Sequence, residues 1–130
     1  MLWAYVALGS ALGGVTRWWL GGLIQNWAGP GFPAGTLLIN ISGSFLLGLL
    51  MSFSLETPEI TPEVRLLLTT GFCGGYTTFS TFSYDAVRLV QEGEWSRAVG
   101  YAGLSLFVSL AACAVGIGVG RSLIALRRGS

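Results

Sequence analysis

The apolar positions of this chain run in long, nearly unbroken blocks, not in the alternating rhythm of a half-buried strand or the three-to-four-residue rhythm of a surface helix. Four blocks stand out: Ala4 to Leu23, broken only by Arg17; Ala34 to Ser54; Leu66 to Tyr84; and Ala98 to Gly120. Each approaches the roughly 20 residues that a helix needs to cross the hydrocarbon of a bilayer. Pro30, Pro33, Pro58 and Pro62 all fall between the blocks, where a missing N–H does no harm. The pattern predicts an all-α membrane protein, a single domain over residues 1–130 with four transmembrane helices at about 4–24, 34–54, 65–90 and 97–122.

Composition agrees, since 52% of the residues are hydrophobic and only 10% charged, too few charges to cover a soluble globule. Met1-Leu2-Trp3-Ala4 offers no basic residue of the kind that opens a secretory signal, so the first block is read as a permanent span. Cys73 and Cys113 have neither disulfide-framework nor zinc spacing and are read as small packing residues with free thiols. A net charge of +1 without a lysine cluster argues against nucleic acid. Four spans put both termini and the loop from Leu55 to Val64 on one face. Arg65, Arg121, Arg127 and Arg128 lie there, against Arg88 and Arg97 opposite, which modestly favours cytoplasmic termini. So weak a bias is compatible with insertion in both directions and hence with an antiparallel homodimer.

The third block contains a segment that a lipid-facing helix has no use for. Gly71-Phe72-Cys73-Gly74-Gly75-Tyr76-Thr77-Thr78-Phe79-Ser80-Thr81-Phe82-Ser83 sets a glycine pair, five hydroxyls and spaced aromatics in mid-span. Irregular backbone at membrane depth is tolerated only against protein or a water-filled cavity, so a binding or conduction site for something small and polar is expected, with the helix breaking near Gly74 to Thr78. Freed carbonyls could then face a cation, and freed N–H groups an anion. Phe79 and Phe82 share a side of the resumed helix, where their positive ring edges suit an anion and their bulk equally suits core packing. Asp85 and Arg88, three apart, are placed to pair with each other.

Other polar positions align with that segment. Thr36, Asn40 and Ser44 stack on one face of the second span; Asn40 serves either as interhelical glue or as an uncharged donor to a dehydrating anion. Tyr101, Ser105 and Ser109 form a polar track on the fourth span, alone a harmless feature, beside the others one wall of a pathway. Arg17, flanked by Trp18 and Trp19, is either a snorkelling anchor or an anion-attracting vestibule residue. Gly9 and Gly13, joined by Gly14, and Gly116 with Gly120, read as faces for close helix packing.

Taken with Gly35-Thr36-Leu37, Asn40 and Gly43-Ser44-Phe45, the segment from Gly71 to Ser83 resembles the Fluc (CrcB-like) fluoride channels, and the likeness covers all four spans in order. The resemblance implies passive fluoride export across the inner (plasma) membrane, giving fluoride resistance. It implies an antiparallel, dual-topology homodimer with two pores and a third helix broken near mid-membrane. A structural sodium ion would be held on the twofold axis by the backbone carbonyls of Gly74 and Thr77. By the same likeness Asn40, Phe79, Phe82, Ser80, Thr81, Tyr101, Ser105 and Ser109 line the fluoride path, and Arg17 its vestibule. A small multidrug antiporter would need a membrane-central carboxylate, which the first three spans lack before Asp85. An inert scaffold leaves Asn40 and the hydroxyls unused, and an enzyme has no histidine or central acid or base to work with.

Overall fold

The structure, a computed structural model, describes residues 1–129 and is helical throughout, with no strand among the described residues. Helix α1 runs Leu2–Ala28, α2 Ala34–Leu55 and α3 Pro62–Leu66; a π-helical stretch Leu67–Cys73 and a short turn α4, Gly74–Tyr76, continue α3; α5 is Phe79–Gln91 and α6 Trp95–Gly129. The connections are built from local chemistry. Gly29 (φ 89°) and Gly93 (φ 78°) reverse the chain after α1 and α5 in a conformation that side chains with a β-carbon resist. Thr61 caps α3, its hydroxyl accepting from the Val64 N–H at 3.2 Å, with Pro62 in the first turn.

α2 and α6 are each long and apolar enough to cross a membrane. α1, at 27 residues, has the length, but Arg17 and its neighbouring tryptophans make it less apolar. α6 extends beyond its apolar block to Gly129, because nothing between Arg121 and Arg128 breaks a helix and basic residues suit its C-terminal end. There Arg127 meets Glu59 at 3.2 Å and Arg128 meets Glu56 at 3.0 Å, fastening the end of α6 to the loop after α2. The Glu59 carboxyl is held below its ordinary pKa by its own backbone N–H and then by Arg127.

Two packed pairs form the body. α2 lies along α6, and α1 along the π-helical stretch and α4. Both contacts are backbone against backbone, made possible by glycine. A β-carbon at Gly9 or Gly13 would overlap the Leu67 or Phe72 carbonyl oxygen, and one at Gly48 or Gly116 the Cys113 or Phe45 carbonyl oxygen. Gly14 does not belong to this face as its sequence neighbourhood suggests: nothing lies within 4 Å of its would-be β-carbon, since the residue after Gly13 is rotated some 100° away around the helix. Leu89, Ala98 and Tyr101 form one buried cluster, packed with Phe32, Leu37 and Phe82, and Ile39, Cys73, Tyr76 and Ile124 are buried outside it. Large apolar residues elsewhere, including Leu104, Leu106, Phe107 and Leu110 of α6, point outward. Such a surface suits lipid or another apolar partner.

Gly13→Val should lower stability by about 1–3 kcal/mol, the usual range for overpacking, read as thermal unfolding in detergent, while Gly14→Val should leave the midpoint near wild type.

Candidate functional site

The site grows from a two-residue break in helical backbone. α4 ends at Tyr76 and α5 starts at Phe79; between them Thr77 (φ −84°, ψ 160°) and Thr78 (φ −153°, ψ 122°) are extended. The Thr77 N–H still reaches Cys73 O, four residues back, but the Thr78 main chain must be satisfied from outside its own helix. Asn40 of α2 does so for Thr78. Its Nδ2 donates to the Thr78 carbonyl at 2.9 Å, and its Oδ1 accepts the Thr78 N–H at 2.8 Å. One amide thus replaces both main-chain partners that a helix would have supplied.

The residues on either side are fixed in turn. The Thr77 N–H and hydroxyl both donate to Cys73 O, each at 2.9 Å. Thr77 and Tyr76 press on Gly43 of α2, where a β-carbon would displace them. Tyr76, buried, shares a 2.9 Å hydrogen bond with Ser42 and stacks on Phe72 at 5.6 Å. Thr78 caps α5: its Oγ1 accepts the Thr81 N–H at 3.2 Å and donates to Thr81 Oγ1 at 3.1 Å, with Ser80 Oγ 3.3 Å away. Arg17 Nε donates to Gly75 O at 3.1 Å, so the guanidinium meets the carbonyls left over at the end of α4.

A cavity of about 460 Å³ opens beside this junction, with Arg17, Thr36, Thr78, Thr81, Asp85 and Arg88 in its wall. Asp85 of that wall is held by Tyr101, 0% exposed, whose hydroxyl donates to Asp85 Oδ2 at 3.2 Å. Arg88 is therefore not paired with Asp85 as their spacing suggests; it reaches Glu92 at 3.3 Å, one turn further along the same helix, while Tyr101 occupies Asp85. An aromatic series continues from the cavity. Phe32 meets Tyr101 edge-on at 5.5 Å, Tyr101 lies 5.1 Å from Phe82, and Phe82 lies 5.6 Å from Phe79. Phe82 is half-buried, whereas Phe79 is 77% exposed.

Among the residues singled out from the sequence, Asn40, Thr77, Thr81, Ser80 and Arg17 gather at the interruption, and Phe79, Phe82 and Tyr101 form one aromatic series. Ser105 and Ser109 lie further along α6, and their buried hydroxyl oxygens find no hydrogen-bond partner among the described residues. Gly74 is exposed, with nothing within 4 Å of its would-be β-carbon. Sequence reasoning overlooked Thr78, the residue that Asn40 holds, although a threonine just ahead of a helix start is a recognisable cap signal. It also overlooked Gln25 and Phe32. Among the described residues no group of three or more His, Cys, Asp or Glu is gathered as a metal site.

Fold and site together describe an α-helical protein with two helices long and apolar enough to cross a membrane and a hydroxyl-rich segment beside a charged cavity. The chain belongs to the CrcB-like family: the family model described as CrcB-like protein, Camphor Resistance (CrcB), matches residues 4–117. Relatives named fluoride-specific ion channel FluC include one from Geobacter metallireducens, 48% identical over 91% of this chain and 95% of the relative. Another from Agrobacterium fabrum is 47% identical over 92% and 96%, and one from Thermus thermophilus 46% over 92% and 94%. They are named as channels, not as enzymes.

Asn40→Leu should strand both Thr78 groups and destabilise the protein by about 2 kcal/mol or more, the cost of buried donors and acceptors left unpaired; an unchanged unfolding midpoint in detergent would contradict the clamp.

Proposed function

We propose that this chain is a fluoride-selective channel giving passive fluoride export across the inner (plasma) membrane, and so resistance to fluoride toxicity. In this reading two copies insert in opposite directions as a homodimer with two pores, and residues 4–24, 34–54, 65–90 and 97–122 span the bilayer with the Thr77–Thr78 interruption at mid-depth. The observation that carries the reading is the Asn40–Thr78 clamp at the head of a hydroxyl-rich helix, in a chain whose near-full-length relatives are named fluoride-specific channels.

Fluoride must exchange a tightly held hydration shell for other donors at each step. The Asn40 NH2 group carries two protons, and Thr78 O takes one, leaving the second for an anion. Ser80 and Thr81 add hydroxyls at the start of α5, and the buried, unpartnered Ser105 and Ser109 hydroxyls are of the same kind. Phe79 and Phe82 present ring edges; Phe79, being exposed, is placed to serve a second copy. Tyr101 gives its proton to Asp85, so its part is to hold that carboxylate and back the aromatic series rather than to donate. Arg17 lines the cavity as a vestibule residue would. Uncharged donors let the ion leave as readily as it arrives, whereas a free cation at the narrowest point would trap it.

The reading includes a structural sodium ion held by the Gly74 and Thr77 carbonyls of both copies. Around the interruption Cys73 O, Gly75 O and Thr78 O are already engaged, while Gly74 has open space beside it. Neutral backbone oxygens are fitting donors for a hard alkali cation, and two residues from each of two chains would supply four. Such an ion would offset the carbonyl dipoles where the two copies meet.

Liposomes carrying the purified protein should release fluoride and retain chloride, with no dependence on a proton gradient. Phe79→Ile, Phe82→Ile and Asn40→Asp should each slow that release, the last by setting a negative charge in the path. Equal chloride release, or full fluoride flux in all three variants, would overturn the reading.

A further inference from the structure

Gln25, near the end of α1, uses its whole amide on one short stretch of backbone. Nε2 donates to Gly29 O at 2.7 Å and to Phe32 O at 2.8 Å, and Oε1 accepts the Gly35 N–H at 3.1 Å. Both amide protons and the carbonyl are thereby committed. The Gly35 bond has a local reason: α2 begins after Pro33 with no side-chain cap, and Gln25 supplies an acceptor for one of its orphan N–H groups. The other two bonds have no such reason. They grip the connection between α1 and α2, which Arg97 of α6 also holds through Gly31 O at 3.1 Å.

That connection forms part of the cavity wall, with Pro30, Gly31, Phe32 and Pro33 facing the same space as Arg17 and Thr81. Its Phe32 ring stands edge-on to Tyr101, which touches Phe82. A displaced loop would therefore widen the mouth of the cavity and withdraw the ring that backs Tyr101.

We propose that Gln25 is a positioning residue for ion passage: it holds Phe32 against Tyr101 and so fixes both the cavity mouth and the aromatic series behind it. The assignment rests on the fluoride-channel reading, and the test separates the two. Fluoride release from liposomes is compared for wild type, Gln25→Leu, Phe32→Leu and the double variant, normalised to folded protein by size-exclusion elution. Each single variant should slow release about fivefold, the scale of coupling through a packed network. The double variant should be no slower than either one, because both act through the same ring. Arg97→Gln, an exposed change that removes the second tether, should give a smaller loss that also vanishes in the Phe32→Leu background. It keeps the test decisive should Gln25→Leu fail to fold. If Gln25 merely caps α2, its loss lowers the unfolding midpoint but leaves flux per folded channel intact, or multiplies with the Phe32 effect; either result overturns the proposal. Wild-type protein that releases no fluoride would overturn the channel reading itself, and this assignment with it.

Discussion

Everything near the site depends on how Thr78, extended between two helical segments, has its main-chain groups satisfied from a neighbouring helix. Leaving the Thr78 N–H and C=O unpaired there would cost several kcal/mol by the usual magnitude for buried polar groups. A single asparagine on the adjacent helix removes that cost with two bonds of 2.8 and 2.9 Å. Because both bonds go to one residue, Asn40 fixes the direction in which α5 leaves the junction as well as its position. Thr78 then begins α5 through its own hydroxyl. The orientation of Phe82 toward Tyr101 follows from that start.

The clamp can operate only if the helices bring their backbones close, and the glycines provide this. Gly9, Gly13 and Gly75 let α1 and the third segment approach to carbonyl contact, with Gly75 set against Ser10; Gly43 gives Tyr76 and Thr77 room beside α2. Close approach of this kind holds helices together where lipid offers no hydrophobic driving force between them. It also explains why few large apolar side chains need to be buried. Several polar contacts are likewise backbone-directed: Arg17, Gln25, Asn40 and Arg97 each give a donor to a main-chain oxygen. Long side chains that reach across to free carbonyls are a means of building irregular backbone into a helical protein without leaving groups unpaired.

The helices were legible because uninterrupted hydropathy marks them without any need for tertiary information. The unusual segment was legible from composition, since glycines and hydroxyls at that depth require a reason. Partner choice was not. Gly9, Gly13 and Gly14 look alike in a sequence, and only the rotation of α1 against the third segment separates the two that pack from the one that does not. Asp85 has an arginine three residues on, yet Tyr101 from another helix takes it and Arg88 turns to Glu92. Asn40 read equally well as glue or as an anion donor, and its geometry permits both, one N–H bound and one spare. Gln25 carried no local signal because its partners lie in the loop after α1 and at the start of α2, whose path hydropathy does not describe.

The most direct measurement is solid-state NMR of the protein in bilayers, assigning the Cα and Cβ shifts of Thr77 and Thr78 and the coupling of the Asn40 side-chain nitrogen to Thr78. Extended-backbone shifts at both threonines, with the Asn40 amide in contact with Thr78, are the expected result. Helical shifts through both residues, or an Asn40 side chain remote from Thr78, would contradict the account.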